Sequence, residues 1–177
     1  QLCLMTAQIA NGGYKIKPKI LTNDNLLTSS KVNKAMQDSD LNQTYIPLFN
    51  DRKNIKIIQD AMFSSTNELR GTSYKSRIDD PKYQFAGKTG TAQVKRISKR
   101  ERELDLKTFQ IPYEERDHAL YVAFGPYVSP RYALSIIVEH GGSGSIAAAP
   151  MAKELFKLII DKHQIRKQFP DYKEFNI

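Results

Sequence analysis

The chain has 177 residues, of which 40% are hydrophobic and 26% charged, and these proportions are typical of one globular domain rather than a disordered chain. No stretch approaches the roughly 18 consecutive apolar residues that a membrane-spanning helix needs. The net charge of +8 would suit an anionic partner, but it is spread along the chain and solvation alone explains it.

Residues 1–45 predict one helix, an extended segment and a long polar connection. Residues 1–11 carry apolar side chains near helical spacing and end in Asn-Gly-Gly, which stops a helix well. The chain opens without a signal peptide, in what looks like the middle of a helix, so we expect it to begin inside a larger protein. Tyr14–Leu21 alternates like an extended edge segment, and residues 22–45 predict a surface connection.

From residue 51 onward the sequence predicts a helix, three strands and a final helix. Asp51–Leu69 has an apolar stripe of helical period that includes Ile55, Ile58 and Met62. The predicted strands are Lys82–Val94, His118–Phe124 and Tyr132–Glu139, with a charged insertion at about 95–117, a flexible loop at 141–145 and a helix from about Ala147 to His163. Successive strands of this kind form a meander, so the predicted fold class is α+β with an antiparallel sheet.

Cysteine and histidine give little support for metal or disulfide chemistry. Cys3 is the only cysteine, which excludes an internal disulfide, and we expect it to be a small buried apolar residue. His118, His140 and His163 lie far apart and lack metal-ligand spacing. We therefore expect no metal and no cofactor, and a structural role for His118.

The stretch from Ala86 to Val94 combines a cation, hydroxyls and glycines on one predicted strand. Lys88 and Thr89 together can hold a carboxylate. Gly90 has no side chain, so a ligand backbone could approach and pair with the strand. Lys-Thr-Gly on its own is nevertheless common by chance.

Lys88-Thr89-Gly90 is also the third signature of penicillin-binding proteins and serine β-lactamases. Gly71–Lys75 resembles the G-T-A element that precedes it in class B enzymes. Asp117–Leu120 and Ala123–Tyr127 resemble the next strand and turn, and Val138–Gly142 the last strand. The chain thus resembles the C-terminal part of the transpeptidase domain of a class B penicillin-binding protein, of the type that maintains rod shape.

This resemblance implies that residues 1–177 are the C-terminal portion of one domain with the β-lactamase/transpeptidase-like fold. The whole protein would be a D,D-transpeptidase that cross-links peptidoglycan stem peptides and is acylated by β-lactams. It would be anchored in the inner membrane, with this domain on the periplasmic side, and would act with a glycosyltransferase and the elongation machinery. Lys88, Thr89 and Gly90 would bind the substrate carboxylate and strand, and the backbone N–H of Thr91 would form half of an oxyanion hole.

The chain departs from the family because it contains no S-x-x-K, the motif of the nucleophilic serine and its lysine. Thr28–Lys31 and Thr72–Lys75 match only with threonine in place of serine, and the S-x-N at Ser65–Asn67 lies so close to the G-T element that we interpret it as chance. We therefore expect this chain alone to be inactive. We also expect it to self-associate through Tyr132–Glu139, whose neighbouring strands in the family come from the N-terminal part.

The sequence offers three other functions, each with weaker support. Lys95, Arg96, Lys99, Arg100 and Arg102 could form a non-catalytic basic module for nucleic acid or another anionic polymer, but acidic residues neutralise part of that charge and no aromatic residues interleave, so no nucleic acid is expected. Gly142–Ala147 fits G-x-G-x-x-A, the glycine fingerprint of dinucleotide-binding proteins. Nucleotide binding is nevertheless disfavoured, because the fingerprint belongs to a parallel strand–helix–strand unit and the strands before it look antiparallel. Ser143 fails as a hydrolase nucleophile because position 145 is not glycine.

Overall fold

The computed structural model describes residues 1–18, 46–96, 103 and 106–166. Its principal elements are the helices α1 (Leu2–Ala10), α2 (Arg52–Asn67) and α3 (Ala149–Arg166), and the strands β1 (Ala86–Ala92), β2 (His118–Gly125) and β3 (Tyr132–Val138). The α+β class is confirmed. The predicted connection at 22–45 and the middle of the charged insertion lie outside the described residues.

The strands form one antiparallel sheet in the order β1-β2-β3, which confirms the predicted meander. Gly87 pairs with Ala123 and Thr89 with Tyr121, so these four residues share one face of the sheet. β1 is shorter than predicted at both ends. In the described part of the chain, β1 and β3 are the two edges of this sheet.

The main core lies between that face and α3. Phe85, Tyr121 and Phe156 are fully buried there, and the rings of Phe85 and Phe156 stack with centroids 4.8 Å apart. Small residues around the start of α3 allow the helix to lie close to the sheet, and Ala148 and Ala149 are fully buried there. The close approach of α3 therefore covers one face of the sheet that contains β1.

A second cluster joins α2 to the opposite face of β1. Met62, Ala86 and Phe124 are buried in it, and Ile9 and Ala10 of α1 pack against it. The carboxylate of Asp51 accepts a hydrogen bond of 2.8 Å from the N–H of Lys53 and so caps the N-terminus of α2. The sheet is thus covered by helices on both faces.

Two predictions about burial were wrong, and one about a loop was wrong in part. Cys3 is exposed, and its thiol donates weakly to the carbonyl of Ala133 at 3.4 Å, because α1 turns this residue away from the core. Ile58 is 40% exposed, since α2 uses the stripe through Ile55 and Met62 for burial. The loop expected at 141–145 is replaced from Gly144 by a π-helical turn that leads into α3.

The predicted edge segment Tyr14–Leu21 is also shorter in the structure. Its described part contains a single bridge between Tyr14 and Pro47, supported by a 2.9 Å hydrogen bond from the N–H of Lys15 to the carbonyl of Ile46. Residues 19–21 lie outside the described residues. The segment after α1 therefore pairs briefly with the chain that leads into α2.

Candidate functional site

The four predicted site residues lie together on β1, at one edge of the sheet. Lys88 and Thr91 are exposed, whereas Thr89 and Gly90 are half-buried. Since β1 pairs with β2 on one side only among the described strands, its other side presents backbone groups that another extended chain could pair with.

Lys88 is the cation of this edge. Its ammonium donates to the backbone carbonyl of Thr89 at 2.9 Å. No carboxylate in the described ranges lies within ion-pairing distance of it. Its charge is therefore available to an anionic ligand.

The hydroxyl of Thr89 continues into a short series of hydroxyls on the protein surface. Thr89 Oγ1 lies 3.3 Å from Thr72 Oγ1, and Thr72 Oγ1 lies 3.1 Å from Ser65 Oγ at the end of α2. We call Ser65, Thr72 and Thr89 the surface hydroxyl chain. In the sequence, the segment containing Thr72 is linked to the motif only by its resemblance to the family, and the S-x-N at Ser65–Asn67 is interpreted as a chance match.

A second set of hydroxyls lies in the core behind the same strand. The phenol of Tyr121 lies 3.0 Å from both Thr66 Oγ1 and Ser73 Oγ, and all three residues are buried. Burial raises the pKa of Tyr121 above its usual value, although its hydrogen bonds to Ser73 and Thr66 act in the opposite direction. The phenol therefore stays neutral at physiological pH. We call Thr66, Ser73 and Tyr121 the buried hydroxyl cluster.

Gly87 makes room for this cluster. A Cβ at position 87 would lie 2.2 Å from the Tyr121 hydroxyl and 2.5 Å from its Cζ. The bare position before Lys88 therefore lets a tyrosine hydroxyl lie directly against the backbone of β1. Nothing in the sequence pairs Gly87 with Tyr121, because the contact depends on the register of two strands.

Other polar residues singled out from the sequence have structural partners. His118 accepts a 2.9 Å hydrogen bond at Nδ1 from the backbone N–H of His140, as its predicted structural role requires. The Asn67 amide donates to the Phe85 carbonyl at 3.0 Å, so it ties α2 to the start of β1. Ser143 Oγ lies 3.0 Å from Ser145 Oγ. These contacts give none of the residues a catalytic arrangement.

The described residues of the basic insertion and the metal-ligating side chains do not form a second functional site. Lys95 forms a 2.6 Å ion pair with Glu115, while Lys99, Arg100 and Arg102 lie outside the described residues. In the part of the chain that the structure describes, no three side chains of the histidine, cysteine and acidic types are grouped to hold a metal ion. Nor does that part contain a helix long and apolar enough to cross a bilayer.

Solved structures share the fold. Over 91% of this chain and 24% of the other, the chain superposes with a TM-score of 0.63 and 26% identity on the penicillin-binding protein PBP2 of Helicobacter pylori, solved in complex with MreC. Over 89% of this chain and 29% of the other, it superposes with a TM-score of 0.58 and 27% identity on Pseudomonas aeruginosa PBP2 in complex with WCK 5153.

Curated relatives are also similar in sequence. The peptidoglycan D,D-transpeptidase MrdA of Acinetobacter baumannii is 35% identical over 160 residues, which is 88% of this chain and 21% of that protein. MrdA of Salmonella typhimurium strain SL1344 is 36% identical over 105 residues, or 59% of this chain and 16% of that protein. The chain thus spans about a fifth of the length of the relatives that it matches.

The family model for the penicillin-binding protein transpeptidase domain matches residues 1–157, which include every strand described above. Together with the PBP2 and MrdA relatives, this match confirms the resemblance read from the motifs and gives no support to a nucleic-acid-binding module. The chain belongs to the penicillin-binding protein transpeptidase domain family.

Proposed function

We propose that this chain forms one wall of the active site of a peptidoglycan D,D-transpeptidase that cross-links stem peptides. The observation that carries the proposal is the exposed edge of β1, where Lys88, a cation without an ion-pair partner in the described residues, is followed along the strand by the hydroxyl-bearing Thr89. Both groups can donate to a carboxylate, and a charge-assisted pair of this kind is stronger than neutral hydrogen bonds.

Lys88 and Thr89 would bind the terminal carboxylate of the stem peptide or of a β-lactam. Gly90 would allow the ligand backbone to lie close to β1 and pair with it as an added strand. These roles use only the exposed edge of the sheet. They require no metal and no cofactor.

Thr91 would offer its backbone N–H to the oxygen of the reacting carbonyl. Gly90 and Leu120 are opposite each other in β1 and β2, and a Cβ built on Gly144 would lie 2.7 Å from the Gly90 carbonyl oxygen and 2.4 Å from the Leu120 carbonyl oxygen. Because one point lies close to both oxygens, the two carbonyls are near each other, as in a pair whose backbone groups point toward the partner strand. Alternation along β1 would then direct the N–H of Thr91 to the open side. One such donor is worth roughly 3–4 kcal/mol of barrier lowering.

The attacking serine and its lysine would come from another part of the whole protein, since no S-x-x-K occurs in these 177 residues. In the proposed arrangement that protein is anchored in the inner membrane, with this domain on the periplasmic side. The PBP2 that was solved together with MreC supports partners from the elongation machinery. A glycosyltransferase partner and acylation by β-lactams are further parts of the proposal, which rest on the family resemblance.

Labelling with a fluorescent penicillin tests this function. The full-length protein is expected to form a covalent adduct that survives denaturing electrophoresis, because acylation of a serine leaves a stable ester. The 177-residue chain alone is expected to remain unlabelled under the same conditions. A labelled band from the isolated chain would contradict the placement of the nucleophile, and an unlabelled full-length protein would overturn the proposed function.

The isolated chain is also proposed to self-associate through Tyr132–Glu139. β3 is an edge of the described sheet and carries Ile137, whose side chain is 58% exposed. Sedimentation velocity at increasing concentration is expected to show dimers or larger species, and Ile137→Lys to reduce them because charge disfavours edge pairing. Val128→Lys, at an 86% exposed position outside the strands, is the matched control. A monomer at every concentration would contradict the proposal.

A further inference from the structure

We infer that Thr72, with Ser65 behind it, is a positioning residue that aims the hydroxyl of Thr89 at the ligand carboxylate. The inference rests on the proposed function, because it concerns how Thr89 binds that carboxylate. Its structural basis is the surface hydroxyl chain, with separations of 3.1 Å between Ser65 and Thr72 and 3.3 Å between Thr72 and Thr89.

The direction of the hydrogen bonds follows from counting protons. Each hydroxyl has one proton to donate and can accept through its lone pairs. If Thr89 donates its proton to a carboxylate, it can only accept from Thr72. Thr72 has then used its own proton and can only accept from Ser65. A bound carboxylate therefore sets one direction along the whole chain, in which each bond polarises the next.

The position of Thr72 is fixed from both sides by the last turns of α2. The N–H of Gly71 donates to the Glu68 carbonyl at 2.8 Å. The N–H and the hydroxyl of Ser73 each donate to the Ser65 carbonyl at 3.0 Å. With its two neighbours bonded to the end of α2, Thr72 is held between that helix and β1.

Ser73, the residue after Thr72, also connects this segment to the sheet. Its hydroxyl also lies 3.0 Å from the phenol of Tyr121, so the segment is joined to the second strand of the sheet as well as to α2. The surface hydroxyl chain is therefore supported by buried, bonded groups. A hydroxyl supported in this way spends less time in rotamers that point away from a ligand, which is the basis of preorganised binding.

The test compares two ligands on the full-length protein. Acylation rate constants are measured for a penicillin with a free carboxylate and for its methyl ester. The ratio of the rate constant for the acid to that for the ester reports how much the protein gains from binding the carboxylate. Thr72→Val keeps the branched shape but removes the hydroxyl, and it is expected to lower this ratio about three- to tenfold, the range for one hydrogen bond. Thr72→Ser restores the hydroxyl and is expected to return the ratio to the wild-type value.

Two further variants separate positioning from general damage. Ser65→Ala is expected to lower the ratio in the same direction but less, because it removes only the far end of the chain. Ser64→Ala removes a neighbouring hydroxyl that bonds Glu68 at 2.8 Å instead, and it is expected to leave the ratio unchanged. In a Thr89→Val background, Thr72→Val is expected to have no further effect on the ratio.

The outcomes distinguish the inference from the proposed function. If the full-length wild-type protein is not acylated at all, the proposed function fails and the inference fails with it. If the wild-type protein is acylated but Thr72→Val slows the acid and the ester equally, Thr72 has only a structural role and the inference alone is overturned. An effect of Thr72→Val that persists without the Thr89 hydroxyl would overturn it too.

Discussion

Replacing Lys88 with glutamine in the full-length protein is expected to lower the rate constant for acylation by penicillin roughly 10- to 100-fold, the range for one hydrogen bond to a charged group. Lys88 is exposed, has no ion-pair partner in the described residues, and donates only to the carbonyl of the next residue. The loss would therefore fall on the ligand and not on the fold. The measurement is stopped-flow or gel-based labelling with fluorescent penicillin.

Lys75→Gln is the matched control for this experiment. Lys75 is also an exposed lysine, and it lies in the segment between α2 and β1 without being part of the strand. Its replacement is expected to change labelling less than about twofold, because Lys75 is not on β1 and is not proposed to bind the ligand carboxylate. Equal labelling of Lys88→Gln and the wild-type protein, with unchanged melting temperatures, would remove Lys88 from the site.

Gly87→Ala is expected to destabilise the protein by about 2–3 kcal/mol, at the upper end of the usual range for overpacking. The new methyl group would overlap the Tyr121 phenol, whose oxygen would be 2.2 Å away. Tyr121 cannot turn aside without losing its bonds to Thr66 and Ser73, which are fully or almost fully buried. Thermal unfolding of the full-length protein measures the effect as a lower melting temperature.

Gly90→Ala supplies the comparison for this prediction. It adds the same methyl group to the same strand, but there a Cβ would meet only Leu120 Cβ, at 3.3 Å. We expect this change to cost less than about 1 kcal/mol, since that neighbour has to yield by only a few tenths of an ångström. If the two variants unfold at the same temperature, the contact with Tyr121 does not explain why position 87 is glycine.

The sheet and the motif could be predicted from the sequence because their information is local. Turn residues mark the ends of the strands, and the short connection between β2 and β3 predicts that these two strands are antiparallel neighbours. The four predicted site residues are consecutive, so a correct prediction of strand β1 also located all four: Lys88, Thr89, Gly90 and Thr91. The resemblance to a family added the roles of these residues, and those roles remain proposals.

The rest of the site depends on how separate elements pack, which periodicity does not encode. Thr72 and Thr89 are 17 positions apart, and their hydroxyls meet because the segment after α2 packs against β1. The exposure of Cys3 and Ile58 was missed for the same reason, because each helix carries more apolar residues than it buries. The π-helical turn at Gly144–Ala148 adds backbone that a helical pattern does not anticipate.

The segment from Gly71 to Ser73 places two adjacent hydroxyls in opposite environments. Thr72 belongs to the surface hydroxyl chain that reaches Thr89, and Ser73 belongs to the buried hydroxyl cluster around Tyr121. A backbone shift in this segment disturbs both at once. If Thr72 orients Thr89 as inferred, changes in this segment would alter ligand binding and the stability of the folded protein together, so selection on one property would also act on the other.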